Sequence, residues 1–152
     1  MKKFDFLPHC IRCGNWCCIS ETPFASDEEL ARLGVEKIGR KDDGSCVFLD
    51  GSGSCSKYSN RPFECRIFPF DIMRIKGRLH WIIWEVCPVH SLLDHEEYID
   101  GMEQRLSKDW PLDYIEQYAA YHKQNQPNKY SREKYKVIRE VRWPAAHPNV
   151  KV

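Results

Sequence analysis

The sequence predicts an α+β protein: a loop-rich cysteine module with a small antiparallel hairpin, organised by metal and covered by C-terminal helices. Three observations lead there. All eight cysteines precede residue 88, and the last 65 residues hold none. Turn and loop signals separate the cysteines, so a large apolar core is not what shapes that part of the chain. An aromatic and β-branched run at 79–86 is then followed by helix-start signals. At 152 residues the chain has the length of one domain, which buries roughly 68–70% of the surface its unfolded form exposes. The expected organisation is a cysteine-cluster module over 1–90 and a helical segment over 91–152 packed on it, in one compact domain.

The elements follow in order. Residues 9–18 read as a tight cysteine loop. Ser26-Asp27-Glu28-Glu29 is a capping box, with Ser26 as N-cap and Glu29 at N3. Leu30 and Leu33 share a face of that helix, and Gly34 stops it. Residues 46–49 predict a short strand, and Asp50-Gly-Ser-Gly-Ser a turn. Residues 55–66 read as loop, because Asn60-Arg61-Pro62 opposes regular structure. Residues 70–75 and 79–86 predict a hairpin around Lys76-Gly77-Arg78. Ser91 is the expected cap of a helix over 92–107, and Pro111 suits the first turn of another over 111–125. The Pro127 region ends it, and 131–142 fits a helix or a strand. No internal repeat or low-complexity run is apparent.

Composition removes several function classes. Net charge is 23 − 22 = +1, so a chain-wide attraction to nucleic acid is not expected. The longest near-apolar stretch, Leu79 to Val89, carries His80 and Glu85 and is too short to span a membrane. The N-terminal residues have two lysines but lack the apolar core of a secretory signal, which points to the cytosol. There is no phosphate loop: Gly51-Ser-Gly53 lacks the following lysine and helix. Nor is there a nucleophile elbow or an H-E-x-x-H metal motif.

The cysteines carry the chemistry. A disulfide framework is disfavoured because cytosolic thiols stay reduced. Buried incidental thiols do not explain four cysteines within residues 10–18. Cys10-Ile-Arg-Cys13 is a C-x-x-C knuckle, a spacing that brings two thiolates to one metal. The adjacent pair Cys17-Cys18 divides its side chains between two centres, or between a ligand and a supporting thiol. Eight thiolates make up to two four-cysteine sets. Zinc sites favour paired knuckles, and this chain has only one. The other cysteines stand singly, with spacings of 55 − 46 = 9, 65 − 55 = 10 and 87 − 65 = 22. Single ligands from separate loops suit an iron–sulfur cluster, [4Fe–4S] in the first instance, with Zn²⁺ the alternative. Cys87-Pro88 echoes the cysteine-proline that closes bacterial ferredoxin motifs.

These residues fall into a longer pattern. Cys10-x-x-Cys13-x-x-x-Cys17-Cys18 is followed by Cys46-Val-Phe-Leu. Then comes Cys55-Ser-Lys-Tyr58-Ser-Asn-Arg61-Pro62-Phe-Glu-Cys65-Arg66-Ile-Phe68-Pro69. The whole resembles the YkgJ-type cysteine-cluster family, which is associated with zinc or iron chelation. The resemblance covers residues 10–70 and extends to Cys87. It implies that Cys10, Cys13, Cys17, Cys18, Cys46, Cys55, Cys65 and Cys87 are the metal ligands. Relatives include flagellin lysine-N-methylases, much longer chains that look like iron–sulfur proteins. The regions that lengthen them are absent here, so the methylase activity is not carried over.

Around the ligands, Arg12, Arg61 and Arg66 are candidates to offset thiolate charge or donate to cluster sulfurs; the alternative for Arg61 and Arg66 is an ordinary surface ion pair. His9 and His90 are possible substitute ligands, although a solvent-facing or capping role is the expectation. Trp16, Phe48, Phe68, Phe70, Trp81 and Trp84 read as core or as cluster cover. Residues 94–117 hold eight acids against Arg105 and Lys108, a net of −6, and residues 127–152 hold seven basic residues against Glu133 and Glu140, a net of +5. These read as solvated helix faces with a tail folded back over them, or as the docking surface of a protein partner. Three functions are compatible with all this. One is a redox, cofactor-handling or assembly-subunit metalloprotein. The others are a structural zinc interaction module and a metal-dependent enzyme of protein modification.

Overall fold

The structure, a computed structural model, describes residues 7–12, 23–125 and 134–143. In chain order the elements are helices α1 (Leu7–Arg12), α2 (Asp27–Leu33) and α3 (Phe63–Ile67), strands β1 (Phe70–Ile75) and β2 (Arg78–Trp84), helices α4 (His95–Asp109) and α5 (Leu112–Asn125), and strand β3 (Tyr135–Glu140). Short 3-10 turns occupy Tyr58–Asn60 and Pro88–Ser91. The α+β class is as the sequence predicts. The chain divides into two compact units: residues 2–66 with 87–89, and residues 67–86 with 90–152.

The second of these is a three-stranded antiparallel sheet, order β1-β2-β3, with α4 and α5. Lys76 and Gly77 form the hairpin turn, both at positive φ (50° and 81°), as the two-residue turn that matches strand twist requires. Pairing runs from Ile75 opposite Arg78 to Phe70 opposite Ile83. The central strand β2 buries Trp81, Ile82, Ile83 and Trp84 in succession, so both its faces are covered and its sequence is apolar without alternation. A register shift between Trp81 and Ile82 interrupts its pairing with β3. Residues 135–140, undecided between helix and strand from sequence, are a strand. Phe70, Trp81 and Trp84 are core residues of this unit, joined by Ile72, Ile99, Leu106, Ile115 and Tyr118. Buried with them is Asp71, 1% exposed. Its carboxylate accepts from the Trp84 indole N–H (3.0 Å), the Ile72 amide (2.8 Å) and the Tyr118 hydroxyl, which offsets the cost of burying it.

Helix α4 starts later than expected. Asp94, not Ser91, is its N-cap: the Asp94 carboxylate accepts from the Glu97 amide at 3.0 Å. A carboxylate suits this end of a helix better than a hydroxyl because it also meets the helix dipole. Ser91 instead ends the 3-10 turn. Pro111 leads into α5, with the Ile115 amide donating to its carbonyl. The break expected at Pro127 lies outside the described residues.

The other unit is built from α1, α2, most of α3 and turns. The capping box forms as predicted: Ser26 accepts from the Glu29 amide, Glu29 returns to the Ser26 amide, and Gly34 closes α2 at φ 74°. Three expectations change. Residues 9–12 are helical in α1, and 13–18 lie outside the described residues. The segment 46–49 is not a strand but a turn, with the Leu49 amide donating to the Cys46 carbonyl (3.0 Å) and only isolated bridges at Cys46 and Leu49. Residues 55–66 are not all loop. Arg61 is extended (φ −54°, ψ 144°), as a residue before proline must be, and Pro62 then precedes a helical turn, a position that needs no proline N–H.

Candidate metal centre

Five candidate ligands fall within the described residues, and each comes from a different local element. Cys10 lies in α1, Cys46 and Cys55 each follow a glycine turn, Cys65 is in α3, and Cys87 precedes the 3-10 turn. All five are half-buried. All five also belong to one compact unit, and Cys87 rejoins it as part of the three-residue stretch 87–89, from beyond the hairpin. No two of the described cysteines are joined by a disulfide. Cys13, Cys17 and Cys18 lie outside the described residues. Among the described residues, no three histidine, cysteine or acidic side chains come together as a metal-holding group.

The turns that carry Cys46 and Cys55 are shaped by their acids and glycines. The Asp43 carboxylate accepts from the Ser45 amide (3.0 Å) and hydroxyl (2.6 Å). That of Asp50 accepts from the Ser52 amide (2.9 Å) and hydroxyl (2.6 Å) and from the Ser54 amide (3.0 Å). These donors hold both carboxyls below the usual carboxylate range, the serine hydroxyls contributing most. Gly44 and Gly53 sit at φ 85° and 84°, where a side chain would strain the backbone.

Arg61 and Arg66 fold onto the segment between Cys55 and Cys65. Arg61 donates to the Tyr58 carbonyl (2.9 Å), makes a long 3.5 Å contact with the Cys65 carbonyl, and lies over the Tyr58 ring at 3.7 Å. Arg66 donates to the carbonyls of Arg61 (2.7 Å) and Ser59 (2.8 Å). Both guanidinium groups therefore fasten the backbone that presents two cysteines. Arg12 ends α1. His9 and His90 are half-buried, and the His90 carbonyl is 2.6 Å from the His95 ring nitrogen.

Sequence reasoning gave Glu29 only its capping role. Glu29 is 4% exposed, and its second carboxylate oxygen accepts from the Phe63 amide at 2.7 Å, at the start of the helix that carries Cys65. Glu64, also buried, accepts from the Phe24 amide. The signal for Glu64 is weak: an acid beside a C-x-x-F-P run looks like surface charge until its partner 40 residues away is known.

The donor chemistry fits a thiophilic metal. Thiolates select zinc or iron–sulfur over hard cations. Of the buried apolar side chains among the described residues, only Leu33, Ile38, Phe63 and Val89 belong to this unit, against thirteen in the other.

An α+β protein with five half-buried thiols in one compact unit has the donor set of a metal-binding protein. Residues 9–90 match the family model CxxCxxCC, described as "Putative zinc- or iron-chelating domain", and the chain belongs to that family. Its first four cysteines have one more residue between the second and third than the family's name spells. An uncharacterized protein of Methanocaldococcus jannaschii is 29% identical over 92 residues, covering 47% of this chain and 49% of its own length. The chain thus spans about half the length of that curated relative. No solved structure matches. No helix among the described residues is long and apolar enough to cross a membrane.

Proposed function

We propose that the cysteine unit holds a thiolate-ligated iron–sulfur centre and that the protein serves electron transfer or cofactor handling. The family supplies metal binding in general terms; the preference for iron–sulfur rests on the distribution of the thiols. The observation that carries it is the return of Cys87 to the unit containing Cys10, Cys46, Cys55 and Cys65. Cysteines drawn from five separate elements, four of them standing singly in the sequence, suit a cluster, whereas zinc fingers and ribbons use paired knuckles. When bound, such a cluster supplies one-electron exchange at a potential set by nearby hydrogen bonds and solvent access. The chain's own contribution is to hold its ligands in place: Arg61 and Arg66 fasten the 58–65 backbone, and Asp43 and Asp50 shape the turns before Cys46 and Cys55.

Metal and acid-labile sulfide analysis of protein purified without oxygen tests this. Iron and sulfide in equal amounts, with a broad visible absorption that bleaches on reduction, support it. A colourless protein with stoichiometric zinc and no sulfide overturns it in favour of a structural zinc module.

A further inference from the structure

The segment that carries Cys46 and Cys55 is a tandem repeat with a period of 55 − 46 = 9 residues. Every backbone bond in the first copy recurs in the second. The Lys41 amide donates to the Ser45 carbonyl (2.8 Å), and the Asp50 amide to that of Ser54 (2.8 Å). The Gly44 amide donates to Lys41 (2.9 Å), and Gly53 to Asp50 (3.2 Å). Val47 donates back to Gly39 (3.1 Å), and Ser56 to Phe48 (2.8 Å). Leu49 closes a turn on the Cys46 carbonyl (3.0 Å), and Tyr58 does so on that of Cys55 (3.2 Å). The bridge Arg40 to Cys46 recurs as Leu49 to Cys55, and the two glycines differ by 1° in φ, 85° against 84°. Gly-Ser-Cys, at 44–46 and again at 53–55, is the sequence trace of it.

We propose that Cys46 and Cys55 are equivalent ligands of one metal centre, delivered as a pair by this repeat. The proposal rests on the metal-binding reading above and goes further by assigning two ligands to the same centre. The copies overlap at Leu49, which both closes the turn after Cys46 and pairs with Cys55. A β-turn spans under about 7 Å and an antiparallel pair about 5.5 Å at most, so the two cysteine Cα atoms lie within about 12.5 Å of each other. A second tie fixes the copies together: the Lys41 ammonium, in the first, donates to the Leu49 carbonyl, where the second begins. Both thiols are half-buried. Equal backbone settings, a bounded separation and a cross-tie favour a preorganised two-pronged ligand.

The test uses the full chain, purified without oxygen. Cys46→Ser, Cys55→Ser and the double variant are compared for metal and sulfide per chain. For a shared centre the two single variants lose the same amount and the double loses no more. In Cys46→Ser, Cys55 alkylates as fast as it does in chelator-treated protein, and the converse holds. Twice the loss in the double variant, or a Cys55 that stays protected in Cys46→Ser, overturns the proposal and leaves metal binding standing. Wild-type protein provides a readout free of folding defects: under stepwise chelation Cys46 and Cys55 gain reactivity in one step, and separate steps overturn the pairing. Wild-type protein that binds no metal overturns the metal reading, and this proposal with it.

Discussion

At the residue scale, the side chains that matter around the cysteines work through the backbone. Asp50 illustrates how. Its carboxylate is exposed, yet it collects three donors from a five-residue turn, and they depress its pKa from the ordinary 3.8. A carboxyl whose folded pKa is lowered stabilises the fold above its ordinary pKa, and that contribution is lost as pH falls through the lower, folded value. Acidification below about pH 4 should therefore loosen the Asp43 and Asp50 turns. Amide exchange read at Ser52 and Ser54 checks it: protection should fall in acid and in Asp50→Ala at neutral pH, and persist in Asp50→Asn, whose side-chain oxygen still accepts. Unchanged protection in Asp50→Ala would refute the role. Arg61 and Arg66 show the same logic with opposite charge. The sequence makes them candidates to tune a cluster or to sit in surface ion pairs; in the fold both guanidinium groups donate to backbone carbonyls, which no spacing rule foretells.

At the scale of elements, two acids decide how helices are fixed. Glu29 joins α2 to the first turn of α3. Replacing it with alanine removes the reciprocal cap and strands the Phe63 amide in a buried setting, which should cost roughly 2–4 kcal/mol. Glu28→Ala, one residue away and exposed, should be nearly silent. Urea unfolding distinguishes them by a shift in midpoint at constant slope. Glu103 joins α4 to β3. It is 6% exposed and accepts from Arg139 at 2.8 Å, from the Trp81 indole at 3.0 Å and from the Arg142 amide. Arg139 also pairs with Glu96 (2.8 Å) and Asp100 (2.7 Å), and the Glu103 carboxylate, followed by that of Glu96, pushes its pKa further up. Arg139→Ala leaves Glu103 buried with two neutral donors, a loss of about 3–5 kcal/mol. Glu96 is 60% exposed, so Glu96→Ala should cost under about 1 kcal/mol. A thermal shift for Glu96→Ala as large as that for Arg139→Ala would disprove this ranking. The opposite charges of 94–117 and 127–152 are legible in the sequence. Their meeting at one arginine is not, because whether 131–142 formed a helix or a strand was open, and only a strand pairing with β2 sets Arg139 against α4.

For the whole molecule, the two units differ in what can hold them together. The sheet unit owns thirteen of the buried apolar side chains among the described residues, Trp81 and Trp84 included, and the cysteine unit four. At about 25 cal/mol per Å² of buried apolar surface, the first has the larger core to stand on, while among the described residues the second draws more on its turns and the Glu29 and Glu64 ties. The hairpin, the capping box and the α+β class were legible because each rests on local signals. The gathering of Cys87 with cysteines 22 and more residues earlier was not, since no local signal encodes a chain's return. Nor was the nine-residue repeat, whose sequence trace is only three residues long. The consequence for stability is that metal removal should act unequally. Anaerobic treatment with a strong chelator should abolish amide protection around Cys46, Cys55 and Cys65. It should leave protection in β1 and β2 and the near-ultraviolet signal of the buried tryptophans intact. Metal-bound protein should then show two thermal transitions, only the cysteine unit's moving with free metal, because a ligand that binds the folded form alone stabilises by mass action. A single transition that shifts as a whole, or tryptophan signals lost together with the metal, would mean that the two units fold as one and that the sheet's core is not sufficient by itself.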